Sequence, residues 1–368
     1  MINVLQVLQG GSNFGGVENF LYQYYMHIDQ SVVHFDFLFI SQDSMSTKWK
    51  ESLFRNTKHF ALNINVRDSR AIYKAVGDFL RHHSLYECIH INTGNLTIQL
   101  PCLAAARKAG IKCRIAHSHS TGNGKNKSGL KRILTKVIQK KIFHDSTVRA
   151  ACSYEAAEHI FGNNVSPDSI IIIPNAIDTQ LYRVNDDFSR DVKREFGITN
   201  QKVFIQVGNF YAVKNHSFTL DVFHALDKSF ENWRLLLVGT GELEDEIKQK
   251  AEKIGLSRKI AFTGYRTDVY RLLQGADCLV MPSLWEGFPI STIEAQAAGL
   301  AVICSDRIPR SVDVTGNCQF VSLQVNEWIN ACVASKRGSY EQLDMVKKAG
   351  FDISDAAEKL CCLYHDNC

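Results

Sequence analysis

The sequence predicts an α/β protein of two doubly wound units, each built on a parallel β-sheet. Short runs of valine, isoleucine and leucine recur along the chain without polar alternation, which is typical of strands buried on both faces. Segments with helical spacing separate these runs; in 243–254, for example, the residues at 243, 247, 251 and 254 are apolar. Strands and helices that alternate in this way form βαβ units, and βαβ units form parallel sheets.

The length also predicts two domains, because 368 residues at about 150 residues a domain give about two. A polar stretch at 178–201 interrupts the alternation, and we interpret it as a hinge. We therefore expect an N-terminal domain over 1–177, a C-terminal domain over 202–345 and a helical segment over 346–368, whose return to the first domain is left open. Two Rossmann-like domains that face each other would place the carboxyl ends of their strands across a cleft. The runs predicted as strands, in chain order, are 2–8, 34–40, 59–64, 88–92, 113–117, 148–152, 170–173, 203–207, 234–238, 260–263, 278–281 and 301–304.

The composition excludes several classes of protein. A hydrophobic fraction of 45% is that of a globular chain. A net charge of +4 is too small for a nucleic-acid-binding domain. The N-terminal run lacks the basic region of a signal peptide, and no run approaches the roughly 18 apolar residues of a membrane span. The sequence therefore predicts a cytoplasmic protein.

The cysteines are numerous but are not arranged as a framework. The chain has 11 of them and none is spaced as Cys-x-x-Cys, which indicates reduced thiols in a reducing compartment. Most lie in apolar segments, where a thiol serves as a small buried hydrophobe. For Cys361, Cys362 and Cys368 in the tail, a functional thiol stays open as the alternative.

Two glutamates follow the predicted strand 278–281, in the segment Pro-Ser-Leu-Trp-Glu-Gly-Phe-Pro-Ile-Ser-Thr-Ile-Glu that ends at Glu294. Glu286 lies in the loop and Glu294 about one turn into the next helix. Gly287 and Pro289 make the turn, and Pro289 suits the first helical position. Backbone N–H groups at the start of a helix bind anions, and carboxylates accept hydrogen bonds from sugar hydroxyls. The alternative is an ordinary strand–loop–helix with solvated acids.

This E-x7-E segment resembles the signature of family 4 retaining glycosyltransferases of the bacterial capsular and exopolysaccharide type, which have the GT-B fold (glycosyl transferases group 1). Other segments resemble the family in the expected order, so the resemblance covers nearly the whole chain, most specifically 200–306. These segments are Gly15–Glu18, Pro174–Asp178, Val207–Asn215, Leu236–Gly241 and Phe262–Tyr265.

The resemblance implies a role for each matching residue. Glu294 would hold the ribose hydroxyls of a nucleotide-sugar, Glu286 the hydroxyls of the donor sugar, and Lys214 the leaving diphosphate. Backbone N–H groups at Phe288–Ile290 and near Gly16 would assist Lys214. Fixed cations and helix dipoles stabilise the charge of a departing diphosphate without a metal. Since Asp-x-Asp occurs nowhere in the chain, we expect no metal and no cofactor.

The base of the nucleotide would lie by Gly264 and Tyr265. One position departs from the family pattern, because Asn209 stands where an arginine is usual, and asparagine supplies no charge. The predicted donor-binding residues are Gly16, Asn209, Lys214, Gly264, Tyr265, Glu286, Gly287, Phe288, Pro289, Ile290 and Glu294, and the predicted catalytic residues are His119, Glu286 and Lys214.

Two histidines end the predicted strand 113–117. Spacing of two puts His117 and His119 on the same side of an extended chain. His119 matches the family histidine that faces the donor sugar. A metal site is disfavoured, because no third ligand lies nearby in the sequence. A histidine that merely packs at the end of the strand stays open.

A basic segment over 125–141 contains seven lysines and arginines and no acid. Apolar residues at 130, 133, 134, 137 and 138 have helical spacing. Such a helix can lie on an anionic membrane or approach a lipid-diphosphate acceptor; the alternative is that its apolar stripe packs on its own sheet. The candidate acceptor or membrane contacts are His117, Lys125, Lys127, Lys131, Arg132 and Lys136.

We therefore predict a retaining glycosyltransferase that moves a sugar from a nucleotide-sugar, by family habit a UDP-sugar, to a sugar or lipid-linked acceptor. The setting would be bacterial surface-polysaccharide assembly at the inner face of the membrane. Three alternatives stay open: a non-catalytic nucleotide-sugar-binding subunit, a sugar-nucleotide 2-epimerase and, least of all, a periplasmic solute binder. Product analysis without acceptor separates the epimerase, and binding without turnover identifies the subunit.

Overall fold

The structure is a computed structural model that describes residues 1–10, 15–42, 56–120, 129–163, 165–339 and 341–368. The chain forms two compact units. The first, here the N-unit, comprises Met1–Ala176 with Ile353–Cys368; the second, the C-unit, comprises Ile177–Asp352.

The N-unit is a parallel sheet flanked by helices. Its strand order is β3-β2-β1-β4-β5-β6-β7, so the order reverses between β1 and β4. The strands are β1 (Ile2–Leu8), β2 (Val33–Phe39), β3 (His59–Ala61), β4 (Cys88–Asn92), β5 (Cys113–Ser118), β6 (Val148–Ala151) and β7 (Ile171–Ile172). The helices up to Ala176 are α1 (Gly16–His27), α2 (Ser69–His82), α3 (Leu96–Lys108), α4 (Leu130–Asp145) and α5 (Tyr154–Phe161).

The C-unit repeats this architecture with the order β10-β9-β8-β11-β12-β13. Large apolar residues such as Phe204, Phe223, Trp233 and Trp328 fill one face of its sheet. The strands are β8 (Lys202–Val207), β9 (Trp233–Val238), β10 (Ile260–Gly264), β11 (Cys278–Met281), β12 (Ala301–Ser305) and β13 (Cys318–Val321). The helices are α6 (Asp186–Glu195), α7 (His216–Leu226), α8 (Glu244–Lys253), α9 (Val269–Gln274), α10 (Ile290–Ala297), α11 (Val325–Ala334) and α12 (Gln342–Lys348).

The last helix, α13 (Ile353–Asn367), packs in the core of the N-unit. Its Leu360 and Tyr364 are buried in one cluster with Tyr24 of α1 and Phe35 of β2. The segment 346–368, treated above as one piece, therefore divides at Ile353 between the two units.

The segment predicted as a hinge lies inside the C-unit. Between 178 and 201 it contains a 3₁₀ turn, Thr179–Tyr182, and α6. Polar composition suggested a linker, but α6 is a surface helix whose Val192 alone is buried among its described side chains. A helix of this kind carries little apolar signal.

The predicted α/β class with two doubly wound parallel sheets is confirmed. Each predicted run overlaps a strand, although the runs at 59–64 and 170–173 are clearly longer than β3 and β7. The strand β13 is not predicted, because its first three residues are half-buried or exposed at the sheet edge and only Val321 is buried, so the segment gives no continuous apolar run.

Candidate functional site in each unit

The order of strands in the C-unit reverses between β8 and β11, which pair directly. The loops that follow these two strands therefore emerge side by side at the carboxyl edge of the sheet, the usual place for a ligand in such folds. Two hydrogen bonds join the loops. Leu284 N–H donates to the Val213 carbonyl at 2.8 Å, and Asn215 Nδ2 donates to the Pro282 carbonyl at 3.1 Å.

Lys214 and Glu286, one from each loop, form an ion pair. Lys214 Nζ lies 2.6 Å from Glu286 Oε1, with side chains only 20% and 15% exposed. The buried Gln206 holds the lysine loop, because its Nε2 donates to the Lys214 carbonyl at 2.8 Å. Thr219 Oγ1 in turn donates to Gln206 Oε1 at 2.7 Å. Two residues predicted to bind the donor are thus brought together at the sheet edge.

Close packing of glycine backbones supports the lysine loop. A Cβ on Gly239 would lie 2.4 Å from the Gly208 carbonyl oxygen, and Gly239 has φ +138°. A Cβ on Gly208 would lie 3.0 Å from Cε of Lys214, so the lysine stem runs directly over that glycine. Asn209 follows Gly208 with a half-buried side chain. Gly208 and Gly239 need to be glycine because side-chain or backbone atoms fill the space that a Cβ would take.

Glu294 projects from α10 and accepts a hydrogen bond from the Tyr182 hydroxyl at 2.8 Å. Burial raises the pKa of the Glu294 carboxyl, and the Tyr182 hydrogen bond opposes that rise. Burial and the nearby Glu294 charge raise the pKa of the Tyr182 phenol well above its ordinary value. Glu294 is therefore an oriented, poorly hydrated acceptor, which suits a pair of sugar hydroxyls.

The helix α10 begins one residue later than predicted. Pro289 is its N-cap, with φ −71° and ψ 113°, and Ile290 is the first helical residue. The buried Gln296 fixes the helix, because its Nε2 donates to the Val312 carbonyl at 2.8 Å and its Oε1 accepts from Val314 N–H at 3.0 Å. A rigid helix start leaves N–H groups available to an anion.

The remaining predicted donor contacts differ in what they can offer. The Phe288 side chain is buried and stacks on Phe351, with ring centroids 5.4 Å apart, so at this position the backbone rather than the ring faces a ligand. Gly264 ends β10 with φ +68°. Tyr265 beside it is 57% exposed, so its ring is available to a base.

In the N-unit, three histidines form a cluster, here called the histidine cluster: His90, His117 and His119. The rings of His117 and His119 lie 3.9 Å apart between centroids, which confirms that the two side chains share a side. Burial is the main cause that lowers the pKa of His90 and of His119 to about 3 and that of His117 well below its ordinary value. The cluster is therefore neutral at pH 7.

Hydrogen bonds fix the tautomers of the cluster. Gln6 Nε2 donates to Tyr364 Oη at 3.0 Å, which leaves the tyrosine hydroxyl to donate to His90 Nδ1 at 2.7 Å. The proton of His90 is then on Nε2, which donates to His117 Nδ1 at 3.0 Å. His117 consequently carries its own proton on Nε2, an atom that is buried without a hydrogen-bond partner among the described residues.

His119 is oriented by a separate branch. Asn92 Nδ2 donates to Gln6 Oε1 at 2.8 Å, so its Oδ1 accepts from His119 Nε2 at 3.1 Å. A neutral His119 with its proton on Nε2 has a lone pair on Nδ1. The half-buried ring can therefore accept a hydrogen bond from a hydroxyl.

The predicted acceptor or membrane contact at His117 is wrong for this structure. Its side chain is fully buried and bonded to His90, so it is the residue that packs at the strand end. His119, by contrast, is half-buried.

The helix α4 presents its apolar residues to solvent over its first two turns. Leu130 is 87%, Ile133 64% and Leu134 60% exposed, and Lys131, Arg132 and Lys136 are exposed around them. The alternative that the apolar stripe packs on the sheet therefore does not hold for Leu130, Ile133 and Leu134. Lys125 and Lys127 lie outside the described residues. Among the described residues, no helix combines the length and the apolarity needed to cross a membrane.

Sequence reasoning missed the residues that hold the site. Gln206 could have been found from the sequence, because a glutamine inside the apolar run 203–207 must have hydrogen-bond partners once that run is buried. Gln6 and Asn92 could have been found in the same way in β1 and β4. Tyr182 could not, because it lies in the polar stretch taken as a hinge.

Two units with this strand order, the Lys214–Glu286 pair at the reversal point of the C-unit sheet, and Glu294 on the helix that follows define a protein of the GT-B class. Residues 188–321 match the family described as "Glycosyl transferases group 1". The chain is similar to the protein EpsF of Bacillus subtilis (strain 168), named as a glycosyltransferase, with 30% identity over 312 residues that cover 84% of this chain and 80% of EpsF. The chain belongs to the group 1 glycosyltransferases.

Two further comparisons agree with this assignment. The UDP-Gal:alpha-D-GlcNAc-diphosphoundecaprenol alpha-1,3-galactosyltransferase of Escherichia coli is 27% identical over 343 residues, 88% of this chain and 84% of that enzyme. The crystal structure of Anabaena HepE in complex with UDP and glucose superposes with a TM-score of 0.79 at 16% identity and covers 100% of both chains. The structural likeness confirms the predicted GT-B fold.

Proposed function

We propose that this glycosyltransferase is a retaining hexosyltransferase that takes a UDP-sugar as donor and a sugar or lipid-linked sugar as acceptor in bacterial surface-polysaccharide synthesis. The observation that carries the proposal is the constellation in the C-unit: Lys214 paired with Glu286 at 2.6 Å, and Glu294 oriented by Tyr182 at 2.8 Å. Two names support this choice of donor. The name of the Escherichia coli relative contains UDP-Gal, and the description of the HepE structure contains UDP and glucose.

The donor is held by three kinds of contact in the C-unit. Glu294 accepts hydrogen bonds from the ribose hydroxyls, and the exposed Tyr265 ring lies against the base. Lys214 and the N–H groups at the start of α10 bind the diphosphate, with Asn209 adding a neutral donor in place of a guanidinium. A charge-assisted hydrogen bond of this type contributes about 1.5–3 kcal/mol. Lys214 and the helix N-terminus supply fixed positive charge, so we propose a donor site that needs no metal and no cofactor.

The reaction exchanges one bond at the anomeric carbon for another. The bond from that carbon to the diphosphate oxygen breaks, and the acceptor hydroxyl oxygen bonds to the same face of the sugar. The hydroxyl proton passes to the leaving phosphate oxygen, so atoms and charge balance. Glu286 holds sugar hydroxyls while this happens, and Lys214 stabilises the departing diphosphate. His119, neutral and with a lone pair on Nδ1, accepts a hydrogen bond from a sugar hydroxyl.

The first two turns of α4 support a proposal of peripheral contact with the inner face of the cell membrane. Apolar side chains ringed by lysine and arginine insert into anionic interfaces, where each basic residue near the surface contributes about 1 kcal/mol. Co-sedimentation with vesicles of phosphatidylglycerol and phosphatidylcholine tests this. We expect Leu134→Glu to abolish sedimentation and Thr135→Glu, the same charge change on the same helix, to weaken it less. Equal effects of the two variants, or binding to neutral vesicles alone, would contradict the proposal.

Product analysis tests the reaction. The chain is incubated with UDP-sugars and lipid-linked sugar acceptors, and release of UDP and the anomeric configuration of the product are measured by NMR. We expect acceptor-dependent release of UDP and the donor's configuration in the product. An inverted product refutes retention, conversion of the donor without acceptor supports the epimerase, and binding without turnover supports the non-catalytic subunit.

A further inference from the structure

Three cysteines of the N-unit meet at the amino end of its sheet. Cys88 opens β4 and Cys113 opens β5, and the two residues are direct partners in the parallel ladder. Cys368 follows α13, and its N–H donates to the Tyr364 carbonyl at 3.0 Å. The three Sγ atoms lie within 4.8 Å of one another.

This place lies at the opposite end of the sheet from His119, which follows β5 and is the N-unit residue proposed to contact the sugar. Cys88 and Asn92 are the two ends of β4, so they are about 13 Å apart at 3.3 Å per residue. The histidine cluster and Asn92 belong to the central and carboxyl part of the sheet. The cysteine cluster therefore needs an explanation other than glycosyl transfer.

Cysteine binds a metal as its thiolate, so an ion that enters the cluster displaces the thiol protons.

We propose that Cys88, Cys113 and Cys368 form a three-thiolate site for a thiophilic divalent cation of the zinc class. Zinc–thiolate bonds of about 2.3 Å place two sulfurs on one tetrahedral metal about 3.8 Å apart. The observed sulfurs need to approach by no more than about 1 Å to reach that spacing. Three thiolates and a divalent ion leave a single negative charge, which the exposed side of the cluster at Cys368 leaves open to solvent.

The site fastens the last helix to the sheet. Two ligands are rigid, because they lie on paired buried strands, and the third, Cys368, directly follows α13. Cys368 is exposed, which gives an ion access from solvent and leaves room for water as a fourth ligand. Metal binding to the folded state then stabilises the N-unit by an amount that grows with the logarithm of the metal concentration above the dissociation constant.

Cadmium titration of the untagged full-length protein tests the proposal. The protein is reduced, stripped with chelator and titrated with Cd²⁺ alone, while the ultraviolet thiolate-to-metal charge-transfer band is recorded. We expect one equivalent to saturate the band. The variant Cys368→Ser should lose the saturable signal. The variant Cys362→Ser, which changes an exposed cysteine of α13 outside the cluster, should keep it. The melting temperature should rise with Zn²⁺ in the wild type and in Cys362→Ser but not in Cys368→Ser.

Each other outcome overturns the proposal. A band that is absent, or equal in wild type and Cys368→Ser, shows that these three sulfurs do not bind the ion together. Fewer than 11 titratable thiols in the unreduced, denatured protein, restored by reductant, would indicate a disulfide instead. Using Cys368→Ser avoids a change in the buried strands, and near-wild-type circular dichroism confirms that it folds.

Discussion

Replacing Glu286 by glutamine should tighten the binding of bare UDP and slow sugar transfer. Without donor, Glu286 neutralises Lys214 at 2.6 Å, in a place where the two side chains are 15% and 20% exposed. A diphosphate that binds Lys214 must compete with that carboxylate. Glutamine keeps the size and an acceptor oxygen but removes the charge, so the lysine is free to pair with phosphate.

The magnitude follows from the burial of the pair. Exposed ion pairs contribute up to about 1 kcal/mol, and hydrogen bonds to charged groups about 1.5–3 kcal/mol. A mostly shielded pair lies between these values, so Glu286 competes with the diphosphate by about 1–2 kcal/mol. Removing that competition should strengthen UDP binding by a factor of about 5–30. Transfer should fall by about 10- to 150-fold, because a charge-assisted bond to the sugar worth about 1.5–3 kcal/mol is lost.

Isothermal titration with UDP and initial transfer rates measure the two effects on the same preparation. Glu242→Gln, which removes an equal charge from an exposed position of the C-unit, is the control and should change neither. Weaker UDP binding by Glu286→Gln would refute the competition, and unchanged transfer would refute the sugar contact.

Three further predictions concern stability. The pKa values of the histidine cluster are lowered in the folded state, so the unfolded chain binds more protons below about pH 6.5. The free energy of unfolding should therefore fall as the pH falls from 6.5 to 5, by at most about 4 kcal/mol per pH unit for three protons. Urea midpoints that do not depend on pH over that range would contradict this. Tyr182→Phe should lower the free energy of unfolding by about 1.5–3 kcal/mol and raise the pKa of Glu294 further, which carboxyl NMR can follow; no change in either quantity would contradict the role of Tyr182. Gly239→Ala should lower the free energy of unfolding by more than about 1 kcal/mol, because its Cβ would meet the Gly208 carbonyl oxygen at 2.4 Å. Gly16→Ala is the control and should be as stable as the wild type, because a Cβ on Gly16 would have nothing within 4 Å. Equal melting temperatures of the two variants would contradict this.

The fold could be predicted because its determinants are local. Strands buried on both faces appear as continuous apolar runs. The strands at 203–207 and 278–281 can therefore be recognised from their own residues, without reference to the strands they pair with. Edge strands and surface helices lack that signal, which is why β13 and α6 were missed. The division of the tail at Ile353 depends on burial of Leu360 and Tyr364 against distant residues, which sequence spacing does not encode.

The candidate site was predictable in its acids and its lysine, and less so in what orients them. The segment from Glu286 to Glu294 has a recognisable spacing. The partners Tyr182 and Gln206 become visible only when the chain is folded, because each acts through one hydrogen bond across the C-unit. The exposed stripe of α4 also required the structure, since the same spacing would serve a buried helix.

Thermal unfolding with a panel of nucleoside diphosphates and their sugar conjugates, with chelator present, tests whether the C-unit binds a nucleotide-sugar through Glu294. A ligand at about 100 times its dissociation constant stabilises by about 2.7 kcal/mol, and each kcal/mol raises the melting temperature of a unit of this size by about 2–4 °C. We expect a selective rise with UDP and one UDP-sugar in the wild type, and none in Glu294→Ala. No rise with any member of the panel, or an equal rise in Glu294→Ala, would contradict this.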